Sequence, residues 1–172
     1  ILYQTPPYDI TVGSGALGIN MEGKYHRLHT LGHDPILGWL FGTANILTDV
    51  ITLNDFRSFR VDRKPKMRIT STPVSIGMML QESYAAVKDD YLNLPAAIFA
   101  QAQHLKSDEY TKTGLPVPLL AAFNENYASA LYKNHYDSLC FARDMKIVGA
   151  SFGISLLIDS IIGIVHGLFR QP

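Results

Sequence analysis

Three of the six histidines of this 172-residue chain lie in one short segment, residues 24–35, which reads KYHRLHTLGHDP. The segment contains His26, His29 and His33, and Asp34 follows directly. Imidazole and carboxylate groups are natural protein ligands of zinc, manganese and iron at neutral pH. The segment therefore predicts a metal or catalytic site. The alternative is a cluster of histidines that are hydrogen-bonded for structural reasons.

Two further pairs of histidine and aspartate stand at helical spacing. His104 and Asp108 are four residues apart, so adjacent turns of a helix would bring both to one cation, although a surface pair has the same spacing. Asp159 and His166 are seven apart and share one stripe of an apolar helix, where they bind a metal, perform acid–base chemistry or find hydrogen-bond partners. Separated segments of this kind are typical of metal sites in helical bundles. The candidate ligands are more numerous than one ion needs: His29, His33, Asp34, His104, Asp108, Asp159 and His166.

Residues 102–120, AQHLKSDEYTKTGLPVPLL, contain His104 and Asp108 in the pattern H-x-x-x-D-x-x-T-x-x-G-x-P. This pattern resembles that of the YdjM-like family of membrane-bound metal-dependent hydrolases. More loosely, it is similar to the H-x-x-x-D helix of zinc-dependent phospholipase C and S1/P1-type nucleases. The resemblance implies that both side chains are metal ligands in a helical bundle that cleaves phosphoester bonds. It also implies that residues 26–34 replace the family's upstream H-R-G-x-T-H motif, with Leu28 in place of the glycine and a different spacing to the next histidine.

These residues support a functional hypothesis and an alternative from another class. The hypothesis is a metal-dependent hydrolase of phosphoesters, either phospholipids or nucleotides, with a divalent metal, zinc above all, held by histidine and aspartate. The metal would polarise the phosphoryl oxygen and lower the pKa of water. The alternative is a non-catalytic helical module, associated with a membrane or an assembly, whose histidines are structural. No catalytic side chain is assigned by either hypothesis.

The elements that must position these groups are predicted to be helices. Residues 1–34 form an irregular, glycine-rich segment that carries the histidine cluster, and residues 54–72 form a basic connector. Asp34 stands where a carboxylate caps the first helix. The sequence thus predicts an all-α fold, a single-domain helical bundle over residues 1–172. Its five or so helices are expected at about 36–53, 73–88, 94–110, 119–133 and 136–169.

Two segments of the sequence bear on whether the protein associates with a membrane. Basic residues gather in the connector, which is either a solvated loop or a contact for an anionic surface: Arg57, Arg60, Arg63, Lys64, Lys66 and Arg68. The apolar stretch 147–169 is long enough to cross a bilayer of about 30 Å, and it also fits a central helix of a soluble bundle. A membrane surface or a partner helix is therefore the expected partner. The sequence does not fix the location, and a cytoplasmic or membrane-associated one is expected because no signal-peptide pattern is seen.

Composition excludes several classes of protein. The 15 basic and 15 acidic side chains balance, so dedicated nucleic-acid binding is not expected. A single cysteine, Cys140, excludes an internal disulfide and a cysteine-built zinc site. Apolar residues make up 47% of the chain, which excludes intrinsic disorder and is ample for a hydrophobic core.

Overall fold

The computed structural model describes residues 4–11, 17–63 and 67–169. Over these residues the protein is mostly helical, with seven α-helices, one short 3-10 helix at Leu31–His33 and a three-stranded antiparallel sheet. The helices are α1 (Tyr25–His29), α2 (Gly38–Thr48), α3 (Ile76–Asp89), α4 (Asn93–Glu109), α5 (Leu120–Phe123), α6 (Glu125–Lys133) and α7 (Ser138–Phe169). The strands are β1 (Val50–Thr52), β2 (Ser58–Asp62) and β3 (Arg68–Val74).

The sheet corrects the prediction of an all-α bundle. It takes up the end of the helix predicted at 36–53 and most of the connector predicted at 54–72. Helix α2 ends at Thr48 because Asp49 adopts a left-handed conformation, with φ of 55°. The β-branched residues of β1 then favour an extended backbone. The strands pair in the order β1-β2-β3, with Val50 opposite Arg60 and Val61 opposite Ile69.

The remaining predicted helices have counterparts in the structure. Those expected at 73–88, 94–110 and 136–169 correspond to α3, α4 and α7. The helix expected at 119–133 is divided into α5 and α6 at Asn124, whose backbone is extended. The Asn124 side chain accepts a hydrogen bond from the Tyr127 backbone N–H at 3.0 Å and so caps α6.

The irregular N-terminal segment is part of the hydrophobic core. Tyr8, Ile10 and Met21 are almost fully buried, in one cluster with side chains from α2, α4 and all three strands. Burying large apolar side chains is the main source of stability in a domain of this size. Because its neighbours on both sides are buried, Asp9 is held at a fixed place beside α4.

Helices α2 and α4 approach each other closely at Gly42. A Cβ at this position would lie 2.3 Å from the amide nitrogen of Gln101, a distance that real Cβ atoms do not show. Gln101 is fully buried, donates a hydrogen bond to the Gly32 carbonyl oxygen at 2.7 Å and accepts one from the Tyr8 hydroxyl. These contacts fix the position of α4 against α2 and the N-terminal segment.

We expect the substitution Gly42→Ala to lower the free energy of unfolding by about 1–3 kcal/mol, the usual cost of overpacking a core. The new methyl group meets a side chain that is already held by two hydrogen bonds. The matched control is Gly77→Ala in α3, where a Cβ meets open space and alanine is the better helix former. Denaturant unfolding of both variants checks the prediction. Equal midpoints for the two variants would contradict it.

The chain divides into two compact units, the first ending at Ser138 and the second beginning at Leu139. The described part of the second unit is the portion of α7 from Leu139, in which every residue from Met145 to Phe169 is exposed. Among the described residues, α7 is the one helix that has the length and apolar composition to cross a membrane. That it does so stays a prediction.

Candidate metal site

Three side chains from separate parts of the first unit meet at one point. The Nε2 atom of His33 lies 3.0 Å from Nε2 of His104 and 4.0 Å from Oδ1 of Asp9. One ligand atom from each residue lies within 4.8 Å of both others. Donors bonded to one ion at about 2.0–2.2 Å are separated by about 3–4 Å. The three residues therefore form a possible metal-binding triad.

Two more donors border the triad. Oδ2 of Asp108 lies 3.2 Å from Nε2 of His33 and 3.3 Å from Nε2 of His104. Nε2 of His26 lies 2.9 Å from Oδ1 of Asp9. We call the five residues together the donor cluster: Asp9, His26, His33, His104 and Asp108.

Each element of the fold contributes to the cluster for a local reason. Asp9 comes from the buried N-terminal segment, His26 from α1 and His33 from the 3-10 helix. His104 and Asp108 lie on adjacent turns of α4, as their spacing predicted. The cluster is thus built entirely within the first unit.

Tyr8 packs against the cluster through its ring. The ring stands edge-on to the imidazoles of His33 and His104, with centroids 5.0 and 5.4 Å apart. It also covers Gly32, where a Cβ would lie 2.4 Å from the ring. Glycine at this position lets the ring reach the imidazoles and restrict their orientation.

The hydrogen bonds of His33 show which of its two ring nitrogens carries the proton. The Thr30 hydroxyl donates its one proton to the His26 carbonyl oxygen at 2.9 Å. The same hydroxyl contacts Nδ1 of His33, so Nδ1 must be the donor in that contact. A neutral imidazole carries one proton, so Nε2 of His33 is an acceptor that is directed into the cluster, 3.0 Å from Nε2 of His104.

His26 follows the same logic. Its Nδ1 contacts the carbonyl oxygen of Gly23, which only accepts hydrogen bonds, so Nδ1 carries the proton. With the proton on Nδ1, Nε2 of His26 meets Oδ1 of Asp9 at 2.9 Å as a second acceptor, and both this nitrogen and Oδ2 of Asp108 are buried without a hydrogen-bond donor among the described residues. Buried polar atoms without a partner are costly. A cation among these lone pairs would remove that cost.

The protonation states at neutral pH favour cation binding. Burial lowers the pKa of the His33 imidazole to about 4, and burial also lowers the pKa of His104. Burial alone would raise the pKa of Asp108, but a hydrogen bond from His33 in its protonated form and the positive charges of His33, His104 and Arg27 outweigh burial and lower the pKa to about 2. Metal ligands must be deprotonated, and these three already are.

Arg27 orients Asp108. Its guanidinium donates to Oδ1 of Asp108 at 3.0 Å and to the hydroxyls of Thr111 and Thr113 at 3.0 and 2.9 Å. The carboxylate is therefore held by one oxygen, while Oδ2 faces the imidazoles. Groups of this kind behind metal ligands commonly tune affinity by 10- to 100-fold.

The structure brings three of the seven predicted ligands together: His33, His104 and Asp108. His29 lies outside the donor cluster, where its Nδ1 is 3.3 Å from Oε1 of Glu125. The remaining three predicted ligands, Asp34, Asp159 and His166, are not members of the donor cluster.

Asp34 serves as a cap rather than as a member of the cluster. Its Oδ1 accepts hydrogen bonds from the backbone N–H groups of Ile36 and Leu37, both at 2.9 Å, and its Oδ2 accepts one from Leu119 at 2.6 Å. Both oxygens are thus used by backbone donors ahead of α2 and α5. Asp159 and His166 are exposed residues of α7, in the second unit.

The sequence hypothesis did not include Asp9 or His26 among the ligands. His26 was visible as the first histidine of the dense segment. That its Nε2 carries a lone pair rather than a proton follows only from the contact of Nδ1 with Gly23. Asp9 has no spacing relation to any histidine in the sequence. Its position between Tyr8 and Ile10, two residues that become buried, is the one signal that singles it out.

The arginines of the predicted basic connector are paired with carboxylates of the first unit. Arg60 makes two hydrogen bonds to Glu82, at 2.8 and 2.9 Å. The other pairs are Arg57 with Asp55, Arg63 with Asp49 and Arg68 with Asp62. Lys64 and Lys66 lie outside the described residues. Contact of this segment with an anionic surface stays a prediction.

Comparison with protein-family models, with curated proteins and with solved structures gave no match to this chain. The interpretation of the site therefore rests on its own geometry: a possible metal-binding triad of Asp9, His33 and His104.

Proposed function

We propose that the chain is a metal-dependent hydrolase of phosphoesters that holds a divalent ion at the donor cluster. The observation that carries the proposal is the convergence of unprotonated donors on one point. The lone pair of His33 Nε2 is directed there by Thr30, and Oδ2 of Asp108 is buried there without a hydrogen-bond partner among the described atoms. Without a cation, the neutral imidazoles supply at most one proton, that of His104 Nε2, to the several acceptor atoms that meet there.

The charge of the site supports an anionic substrate. Asp9 and Asp108 contribute two negative charges and Arg27 one positive charge, while coordinating imidazoles are neutral. A divalent ion then makes the site net positive. Phosphoester oxygens are the natural complement of such a site, since a divalent ion polarises a phosphoryl oxygen and lowers the pKa of water.

The donor set supports zinc as the ion. Imidazole together with carboxylate suits zinc, manganese or iron, whereas magnesium and calcium prefer oxygen alone. Catalytic zinc sites commonly have three protein ligands and one open position, which matches the number of residues in the triad.

The resemblance to YdjM-like hydrolases gains physical support from the roles of the shared residues. In the pattern H-x-x-x-D-x-x-T-x-x-G-x-P, the histidine and the first aspartate are cluster members. The threonine, Thr111, donates to the Asp108 carbonyl oxygen at 2.7 Å and accepts from Arg27. The glycine, Gly114, has φ of 61°, which favours glycine. We propose kinship with that family on these grounds.

The test is metal content measured together with turnover. The protein is stripped with a chelator, reloaded with zinc or manganese and measured by elemental analysis, and hydrolysis of bis(p-nitrophenyl) phosphate is then followed. We expect at least one ion per chain and hydrolysis only in the loaded protein. Absence of bound metal would overturn the proposal. Stoichiometric metal without hydrolysis of any phosphoester would leave a metal-binding protein and overturn the assigned activity.

A second candidate is a non-catalytic, membrane-associated module with structural histidines. The observation that favours it is α7, which is exposed from Met145 to Phe169 and has the length of a bilayer span. The two candidates differ in the same measurement. A structural histidine cluster needs no stoichiometric metal, so a chelator should leave the properties of the protein unchanged. A membrane role predicts that the protein sediments with lipid vesicles.

A further inference from the structure

A cavity of about 260 Å³ opens beside the donor cluster. It shares His104 with the triad, so a group bound in the cavity lies next to an ion held by that histidine. The residues that line it come from the N-terminal segment and α4: Gln4, Pro6, Phe99, Ala100, Gln103 and His104.

Helix α4 presents two adjacent rows to the cavity. Phe99 and Gln103 are four residues apart and form one row, and Ala100 and His104 form the next. The small side chain of Ala100 leaves space between them. The Phe99 ring is 54% exposed, which leaves much of its surface available for contact.

The chemistry of the lining selects one kind of ligand. Two carboxamides, Gln4 and Gln103, each offer a donor and an acceptor. Both glutamines are exposed, so their amides are available to a ligand, and an acyl chain would make no use of either one. A charged headgroup would find no carboxylate, lysine or arginine among the described residues that line the cavity. A neutral planar ring with polar edges would satisfy the lining, since it stacks on Phe99 and hydrogen-bonds to the amides.

The size of the cavity agrees with a single ring system. Pockets that enclose whole drug-sized ligands measure about 300–1,000 Å³, and this one is slightly smaller. It has room for one moiety of a substrate, with the rest extending toward the cluster and toward solvent.

We propose that this cavity binds the heteroaromatic base of a nucleotide whose phosphate lies at the metal. The inference rests on the proposed phosphoester hydrolase and deepens it, because it chooses nucleotides over phospholipids as the substrate class. Phe99 provides the stacking surface, and Gln103 reads the polar edge of the base.

The experiment separates the base from the phosphate. Zinc-loaded protein is titrated by calorimetry with adenosine monophosphate, ribose 5-phosphate, inorganic phosphate and dihexanoyl phosphatidic acid. We expect adenosine monophosphate to bind at least tenfold more tightly than ribose 5-phosphate. The short-chain lipid should bind no more tightly than inorganic phosphate, because the cavity does not suit its chains.

Variants assign the effect to the cavity. Phe99→Ala should remove roughly tenfold of the advantage of the base, the usual effect of losing a stacking ring, and leave ribose 5-phosphate affinity unchanged. Gln103→Ala should reduce the same ratio. The control is Phe123→Ala on α5, which removes an 83% exposed ring outside the cavity and should change nothing.

The outcomes distinguish failure of the base site from failure of the proposed hydrolase function. Equal affinities for adenosine monophosphate and ribose 5-phosphate in metal-loaded protein would overturn the base site and leave the hydrolase proposal standing. A base-dependent advantage that survives both cavity variants would overturn the assignment to this cavity. Tighter binding of the lipid would point to the other substrate class. A chain that binds no metal overturns both proposals together.

Discussion

We expect His104→Ala to lower the affinity of the protein for zinc roughly 100-fold or more. The substitution removes one of the three triad ligands, and loss of groups that merely support ligands already costs 10- to 100-fold in other metal sites. The fold should tolerate the change, because His104 is at the edge of the cluster with its side chain 13% exposed and alanine favours the helix. Competition with a chromophoric chelator measures the affinity.

The matched control is His29→Ala. This histidine belongs to the same dense sequence segment but contacts Glu125 instead of the cluster, so its loss should change zinc affinity less than twofold. Circular dichroism of both variants verifies that they are folded. If the two substitutions weaken zinc binding equally, the donor cluster as described does not hold the ion.

In the metal-free protein, we expect the free energy of unfolding to fall by about 3 kcal/mol between pH 7 and pH 4 through His33 alone. The folded state keeps this imidazole neutral down to its pKa of about 4 because it is fully buried, whereas the unfolded chain binds a proton near pH 6.5. The unfolded state therefore holds more protons in this interval, and stability decreases as the pH falls. His29 and His104, whose pKa values are also lowered by burial, act in the same direction.

Urea unfolding at half-unit pH steps, with a chelator present, checks this slope. The variant His33→Gln lacks the titrating group and should show a shallower dependence over the same interval, whatever its absolute stability. Asp108, with a pKa of about 2, contributes to the free energy of unfolding at a lower pH, and this contribution is lost as the pH falls from about 4 toward 2. A parent protein whose stability is constant from pH 7 to pH 4 would show that His33 is accessible to protons.

The helices were predictable where local signals suffice. Pro95 near the start of α4 is read directly from the sequence, and that helix is present. The helix expected from residue 73 begins only at Ile76, after the Ser75 cap, because residues 73 and 74 belong to β3. The sheet was not predictable in this way. An apolar run such as residues 36–53 has no marker for the change from helix to strand, and the left-handed turn at Asp49 that separates α2 from β1 is made by a residue other than glycine.

The site was predictable in its α4 half. His104 and Asp108 are neighbours because a helix repeats every 3.6 residues. The other half depends on tertiary packing. His29 and His33 look equivalent in the sequence, yet the turn at Thr30 directs one toward Glu125 and the other into the cluster. Asp34 was expected both to cap a helix and to bind metal, and backbone N–H groups occupy both of its oxygens.

The distance along the chain between the ligands has a consequence for the order of assembly. His33 and His104 are 71 positions apart, and the contact of Tyr8 with Gln101 closes a loop of 93. Closing such loops costs entropy before any contact is gained, so we expect the ion to bind a chain whose first unit is already assembled. Because the ion then binds only the folded state, it raises stability in proportion to the logarithm of its concentration above the dissociation constant. An occupied site shows that the N-terminal segment and α4 are packed together.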